Sequence, residues 1–255
     1  MAHFCADLHT HTLANQHAFS TIFENLIIAK EKGLQIIAMT DHGPNFPDSP
    51  HRFHYQNEVT AIPHFTRGLV LLKSMEANFL EDGTTDCPPA LFPKLDLVIG
   101  NCHRHVTPVG LGEEANTRII TSVIEKGLVD IISHPADPTF PKDYEAIVKC
   151  AVEHNVALEI NSSSGKNSRH GSFPCCVELA KVAKKHGAWL SIGSDAHYCE
   201  DVGNFKQSLE ILKEAGISPD DPHIINNSPL AILKLLLSHK HQNLQEVVDY
   251  FGLSL

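Results

Sequence analysis

The chain has 255 residues, 42% hydrophobic and 20% charged, a composition that excludes a disordered, collagen-like or long coiled-coil protein. Thirty acidic residues against 20 basic ones leave a formal charge of −10, so no long-range positive field gathers nucleic acid, although bound cations could still reverse the potential inside a cleft. Histidine is the unusual component: 18 residues, nearly as many as lysine and arginine together, although imidazole is costly to bury without a partner.

In chain order, short apolar β-branched runs alternate with longer stretches of helical period, the pattern of a parallel sheet with crossover helices. Strands are predicted over 4–8, 35–40, 69–75, 95–100, 129–133, 157–160 and 189–193. Helices are predicted between them over 23–32, 113–126, 142–154 and 175–186, and Gly33, Gly127 and Gly187 supply C-terminal stops to three of these. After the last strand come helices over 205–215, from Ser228-Pro229 to about 239, and near 244–251. Residues 43–63 hold Pro44, Pro47, Pro50 and Pro63 without a core pattern and read as a long loop over the site.

Chemistry collects where the strands end. The first runs into Asp7, His9 and His11, the second into Asp41 and His42, and the third into Glu76. The fourth reaches His103, the fifth His134, the sixth Asn161, and the seventh Asp195 and His197. In parallel β/α folds this C-terminal edge is where loops converge and sites are built. Residues two apart on an extended strand share a face, so His9 with His11, and Asp195 with His197, can chelate one ion or serve two neighbours. Imidazole with carboxylate suits zinc, manganese or iron, and the lack of cysteine ligands points to a catalytic rather than a closed structural site. One histidine at a strand end is more often an ordinary hydrogen-bonded residue; such features on five strands together argue for metal.

The seven cysteines (Cys5, Cys87, Cys102, Cys150, Cys175, Cys176, Cys199) contain no C-x-x-C pair, which fits a reducing cytoplasm better than a disulfide framework. The first residues lack a basic and apolar leader, and the apolar run 230–237 is broken by Lys234, so neither signal peptide nor membrane span is expected. With no linker or low-complexity block, the expected organisation is a single domain over 1–255, a barrel over about 4–238 followed by a helical tail over 239–255.

Taken in order, Asp7-Leu8-His9-Thr10-His11-Thr12, His17, Thr40-Asp41-His42-Gly43-Pro44, Glu76-Ala77-Asn78, His103, Ser133-His134-Pro135 and Gly193-Ser194-Asp195-Ala196-His197 resemble the motifs of the PHP (polymerase and histidinol phosphatase) family. His51-Arg52-Phe53-His54, Leu158-Glu159-Ile160-Asn161-Ser162-Ser163 and Ser168-Arg169 are similar to loops of its YcdX-type phosphatases. The resemblance implies a distorted seven-stranded (β/α)7 α/β barrel with three divalent ions at the C-terminal ends of the strands, zinc first, with manganese, magnesium or iron as alternatives. By position it implies that His9, His11, Glu76 and Asp195 hold one ion, Glu76, His103 and His134 a second, with Glu76 shared, and His17, His42 and His197 a third. His17 enters through the resemblance alone, since a histidine in a loop otherwise reads as solvated.

Three divalent ions would bring about six positive charges against two carboxylates, an excess of about four that would recruit hydroxide and phosphate. Hydrolysis of phosphate esters by a metal-bound hydroxide is therefore the expected activity, on a small phosphorylated substrate, with no stable nucleic-acid partner, no membrane, and a homo-oligomer allowed. Asp7 and Asp41 are candidates to orient ligand imidazoles or receive a proton, with strand-end capping or turn formation as the alternative. Arg169, beside His170 in the 165–171 loop, is a candidate to grip phosphate; a solvated arginine is its alternative. His51 and His54 are candidates for the entrance, and the eight histidines beyond these, His105 included, are expected to be ordinary. Competing functions are a PHP-type 3′-5′ exonuclease, a histidinol-phosphatase-like enzyme and a non-catalytic metal-storage or metal-sensing protein; the acidic charge and single tryptophan weigh against the first.

Overall fold

The apolar runs pair side by side as parallel strands buried on both faces, as a sheet covered by crossover helices requires. The computed structural model describes residues 4–165, 169–239, 241 and 244–253; Ser168 and parts of the predicted tail lie outside the described residues. The strands are β1 (Ala6–Asp7), β2 (Ile36–Met39), β3 (Phe65–Thr66), β4 (Leu69–Asn78), β5 (Leu97–Asn101), β6 (Ile131–Ile132), β7 (Ala157–Asn161) and β8 (Leu190–Gly193). Seven run parallel in the order β1-β2-β4-β5-β6-β7-β8, and the short β3 pairs antiparallel with β4. Main-chain bonds join the two ends of the sheet at its C-terminal edge, Asp195 N to His9 O and His11 N to Ala196 O, both at 2.9 Å. At the other end the Asn226 side chain spans the gap, accepting from Ile192 N at 2.7 Å and donating to Ala6 O at 3.0 Å. The result is the nearly closed (β/α)7 barrel that the sequence implied.

The helices are α1 (Ile22–Glu31), α2 (Phe53–Ala61), α3 (Glu113–Glu125), α4 (Tyr144–Glu153), α5 (Ser172–His186), α6 (Lys206–Glu214), α7 (Pro229–Leu237) and α8 (Gln245–Tyr250). Thr21 and Glu24 form a reciprocal capping box at the start of α1, an arrangement worth about 1 kcal/mol. Strand alternation then sorts the core. Ile37, Met39, Leu69 and Leu71 pack with the helices, whereas Ile36, Ala38, Val70 and Leu72 pack with Leu233, Leu236 and Val247 of α7 and α8, which seal the N-terminal end of the barrel. Continuing the inward parity along β4 gives Ser74, Glu76 and Asn78, and along β7, from Ala157, it gives Glu159 and Asn161. No helix among the described residues is long and apolar enough to cross a membrane.

Residues 43–63 are not one loop: they contain α2, and β3 follows it. Helix α2 buries only Tyr55 and Glu58, so it has no apolar stripe to read. Its purpose is visible in the Tyr55 hydroxyl, which donates to the main-chain carbonyls of His42 and, at 3.1 Å, Asp41. Strand β4 also runs to Asn78, three residues past its predicted end, because buried polar Glu76 and Asn78 hide its length.

Three of the histidines expected to be ordinary are structural. His64 Nε2 lies 3.0 Å from the Asp96 carboxylate, while His241 Nε2 and His239 Nδ1 both lie 2.8 Å from that of Asp130. Burial opposes the charge on Asp130, but His241 drives its carboxyl well below the usual range, and Asp130 in turn raises His241 despite that imidazole's own burial. The depressed carboxyl contributes stability above its unfolded pKa of about 3.9, lost on acidification; the raised imidazole contributes below about 6.5, lost as pH rises through its folded value. The pair is therefore fully stabilising between about pH 4 and 6.5. Asp130→Asn is expected to cost about 3 kcal/mol in urea unfolding at pH 6, with a smaller loss at pH 9; an equal loss at both pH values would reject the ion pair.

Candidate metal centre

Glu76, on the inner face of β4, is the hub. Its Oε1 lies 2.8 Å from His134 Nε2, 3.3 Å from His103 Nε2 and 3.5 Å from His9 Nε2, and its Oε2 lies 2.9 Å from His42 Nδ1 and 3.6 Å from His11 Nε2. Ser133 Oγ donates to the same Oε1 at 2.8 Å. Around the hub the residues fall into groups whose donor atoms lie within 4.8 Å of one another: His9, His11 and Asp195; His9, Glu76 and His134; His42, Glu76 and His103; His11, His42 and His197. His17 completes the last side, its Nε2 lying 2.9 Å from that of His197. All nine expected ligands therefore meet around one cavity end, the aim of the chain topology that brings every strand terminus to the same edge.

Most of these imidazoles are held from behind. His9 Nδ1 donates to Glu159 Oε1 at 2.8 Å, His103 Nδ1 to Asn78 Oδ1 at 2.8 Å, and His197 Nδ1 to the Asp195 carbonyl at 2.9 Å. His17 Nδ1 is bonded to Asp48 Oδ2, which also accepts His17 N at 3.1 Å. Phe46 stacks on His42 with ring centroids 4.0 Å apart. Asn78 is steadied by Asp86, which accepts its main-chain N–H at 2.8 Å and its amide at 2.6 Å. A Cβ on Gly43 would lie 2.3 Å from an Asp86 oxygen, so glycine is required beside His42. Two of the expected ligands, His134 and Asp195, have positive φ values of 28° and 57°, an unfavourable backbone state for side-chain-bearing residues that the surrounding bonds must maintain.

Electrostatics suits cation binding. Burial drives His42 down to about 3 and His197 down to about 4, so both present neutral rings with free lone pairs at pH 7. Burial alone would raise the Glu76 carboxyl, yet the imidazoles of His9, His103 and His42 hold it well below its ordinary range. Asp195 is held down in the same way, first by Arg169 and then by His9. The donor separations fit a metal: ligands at about 2.0–2.1 Å around a tetrahedral ion stand about 3.3–3.4 Å apart. Glu76 Oε2, His42 Nδ1 and the Nδ1 atoms of His11 and His134 are buried without a hydrogen-bond partner, an arrangement costly in the absence of a further ligand.

The cavity over this cluster measures about 710 Å³ and is lined by ligand residues together with Phe46, Asp48, Arg104, His105, Asp137, Ser163 and Arg169. Arg169 reaches the cavity and is ion-paired with Asp195 Oδ2, so the solvated reading is set aside. Asp7 and Asp41 stand outside the cavity lining, bonded to groups at the strand ends. Asp7 accepts main-chain N–H groups of Ser194 at 3.1 Å and Gly203 at 2.8 Å, and Asp41 accepts Thr12 N at 2.8 Å and Thr12 Oγ1 at 2.7 Å. These bonds tie strand ends together, and Asp7 Oδ1 also lies 3.4 Å from the main-chain N of His9. His51, His54 and His170 are likewise absent from the cavity wall, where His105 takes a place instead. Glu159, Asn78 and Asp48 are the neighbours to which sequence reasoning gave no role; an amide two residues from an expected ligand on the same inward strand parity is the signal that could have found Asn78.

A (β/α)7 barrel with a buried histidine and carboxylate cluster at its C-terminal edge defines a metal-binding hydrolase class. No family model matches the chain. It is 42% identical over 251 residues to a probable phosphatase of Shewanella amazonensis, with 97% of this chain and 98% of that protein covered. A probable phosphatase of Proteus mirabilis is 41% identical, with 91% and 94% covered. The chain belongs to this family of probable phosphatases. Its fold is shared with a histidinol phosphate phosphatase from Lactococcus lactis, solved with zinc, L-histidinol and phosphate, at a TM-score of 0.55 and 16% identity, covering 84% of this chain and 94% of that one.

Proposed function

We propose that the chain hydrolyses small phosphate esters at a three-ion centre of the YcdX type within the PHP family. More broadly, it is a metal-dependent phosphoric ester hydrolase. The observation that carries the finer reading is the sharing of Glu76 among five imidazoles delivered by four strand ends. His9, His11, Glu76 and Asp195 would hold one ion, Glu76, His103 and His134 a second, and His17, His42 and His197 a third. Bound ions supply the positive charge that draws a water toward hydroxide near neutral pH and offsets charge on phosphate oxygens. Zinc is the ion this reading favours, because imidazole and carboxylate donors suit it and the Lactococcus lactis phosphatase holds it.

The chain's own residues do the rest. Arg169, fixed by Asp195, keeps further N–H groups for phosphate oxygens, and its forked geometry orients the ester. Neutral His42 and His197 keep their lone pairs for cations. A cavity of about 710 Å³ leaves room for a small-molecule leaving group, and the charge of −10 offers nucleic acid no favourable approach. All seven cysteines are free, in keeping with a cytoplasmic setting. The test is a panel of phosphomonoesters, diesters and single-stranded DNA given to zinc- and manganese-loaded protein. Turnover of monoesters is expected; degradation of DNA alone would move the assignment to a nuclease, and no turnover at full metal occupancy would reject catalysis.

A further inference from the structure

Outside the ligand set, Glu159 is a buried carboxylate bonded to two of the expected ligands, His9 and His134. It lies on the inner face of β7 with its side chain 2% exposed, and both oxygens are bonded. Oε1 accepts His9 Nδ1 at 2.8 Å; Oε2 accepts the main-chain N–H of His134 at 2.7 Å and Asn161 Nδ2 at 3.0 Å. One carboxylate therefore reaches a ligand beyond β1 and another beyond β6. Asn161 extends the connection, because its amide also lies 3.3 Å from Asp195 Oδ2.

Three further observations bear on what this carboxylate does. It is buried behind His9, outside the cavity lining, so its contacts are with the expected ligands rather than with solvent. It approaches His9 from the ring edge opposite the cluster, leaving Nε2 to face His11 at 3.2 Å and Glu76 and Asp195 at 3.5 Å. An ionised carboxylate only accepts, so it holds the proton on Nδ1 and leaves the Nε2 lone pair for a cation. At His134 the same carboxylate secures the N–H of a residue whose φ is 28°, a conformation that needs such a restraint. The barrel also makes room for it. A Cβ on Gly193 would lie 1.9 Å from Glu159 Oε1 and 2.8 Å from His9 Cβ, so β8 must carry glycine where Glu159 and His9 meet.

We infer that Glu159 is a positioning residue for the metal centre, fixing the tautomer and aim of His9 and the strained backbone of His134 so that two ligand groups are assembled by one side chain. The inference rests on the metal-centre reading, and its test is kept apart from phosphatase activity. Glu159→Gln retains the shape but removes the charge and one of the two acceptors. By chelator competition, its zinc affinity is expected to fall about 10–100-fold, with the far-UV spectrum of the metal-free protein kept. Rescue by Glu159→Asp is not expected, since the shorter side chain cannot span both partners. Unchanged zinc affinity in a folded Glu159→Gln protein would overturn the inference. A second measurement needs no variant: nitrogen-15 spectra of histidine-labelled, zinc-loaded wild-type protein should show His9 protonated at Nδ1 and zinc-bound through Nε2. The reverse assignment would overturn the inference even if Glu159→Gln failed to fold. If zinc affinity falls as expected while the wild type turns over no phosphate ester, the functional reading fails and the positioning role stands.

Discussion

Glu76→Gln is expected to lower kcat/KM for an aryl phosphate by about 10³-fold or more, the largest loss from any single conservative change. Five imidazole nitrogens stand within 3.6 Å of this one carboxylate, so its charge is shared between neighbouring ligand groups. Replacing it with an isosteric amide removes that charge and turns one acceptor into a donor, which then faces histidine nitrogens that also have to bind a cation. The damage is electrostatic rather than steric, and the far-UV spectrum should be preserved. Metal analysis alongside kinetics separates the causes: loss of more than one equivalent is the expected companion of the lost turnover. A variant retaining full metal content and wild-type kcat/KM would show that Glu76 is not shared between sites.

The comparison of Glu76 with Glu159 shows what a sequence discloses and what it conceals. Both lie on inward strand parities two residues before an asparagine that ends the strand, Asn78 and Asn161, but Glu76 directly follows the apolar run 69–75, whereas Glu159 lies inside the run 157–160. Period two and the strand-end rule therefore expose His9, His11, Asp195 and His197 from the residues themselves. They do not expose a carboxylate that acts sideways, across the barrel, on residues 150 and 25 positions away. His17 sits between these cases. Its loop has no periodicity, and only family resemblance pointed to it, while its anchor Asp48 lies 31 residues on, in the proline-rich segment that showed no pattern. Helix α2 was hidden for a related reason: it contributes Tyr55 to the backing of His42 instead of an apolar stripe to the core. The parallel barrel was legible because burial on both strand faces leaves a continuous apolar signal, and side-chain cooperation between distant segments leaves none.

The three proposed ligand groups differ in charge and exposure, and they should differ in how firmly they hold cations. His9, His11, Glu76 and Asp195 combine two carboxylates with side chains at most 2% exposed. The group of His17, His42 and His197 has imidazoles and no carboxylate, with His17 41% and His197 31% exposed. A carboxylate in contact with a divalent ion contributes more than about 1.4 kcal/mol even in a water-like dielectric, and that amount is already tenfold in affinity. In a chelator titration at pH 7.5, followed by metal analysis, one equivalent should therefore leave at a chelator concentration at least about tenfold lower than the rest. His17→Ala should remove that equivalent alone, whereas Asp195→Ala should lower the affinity of the ion held with His9, His11 and Glu76. The order has a consequence for activity: if the weakly held ion contacts the phosphate, turnover should track its loss while the protein still carries the other ions. Simultaneous release of all the metal, or full occupancy in His17→Ala, would mean that exposure and ligand charge do not rank the sites.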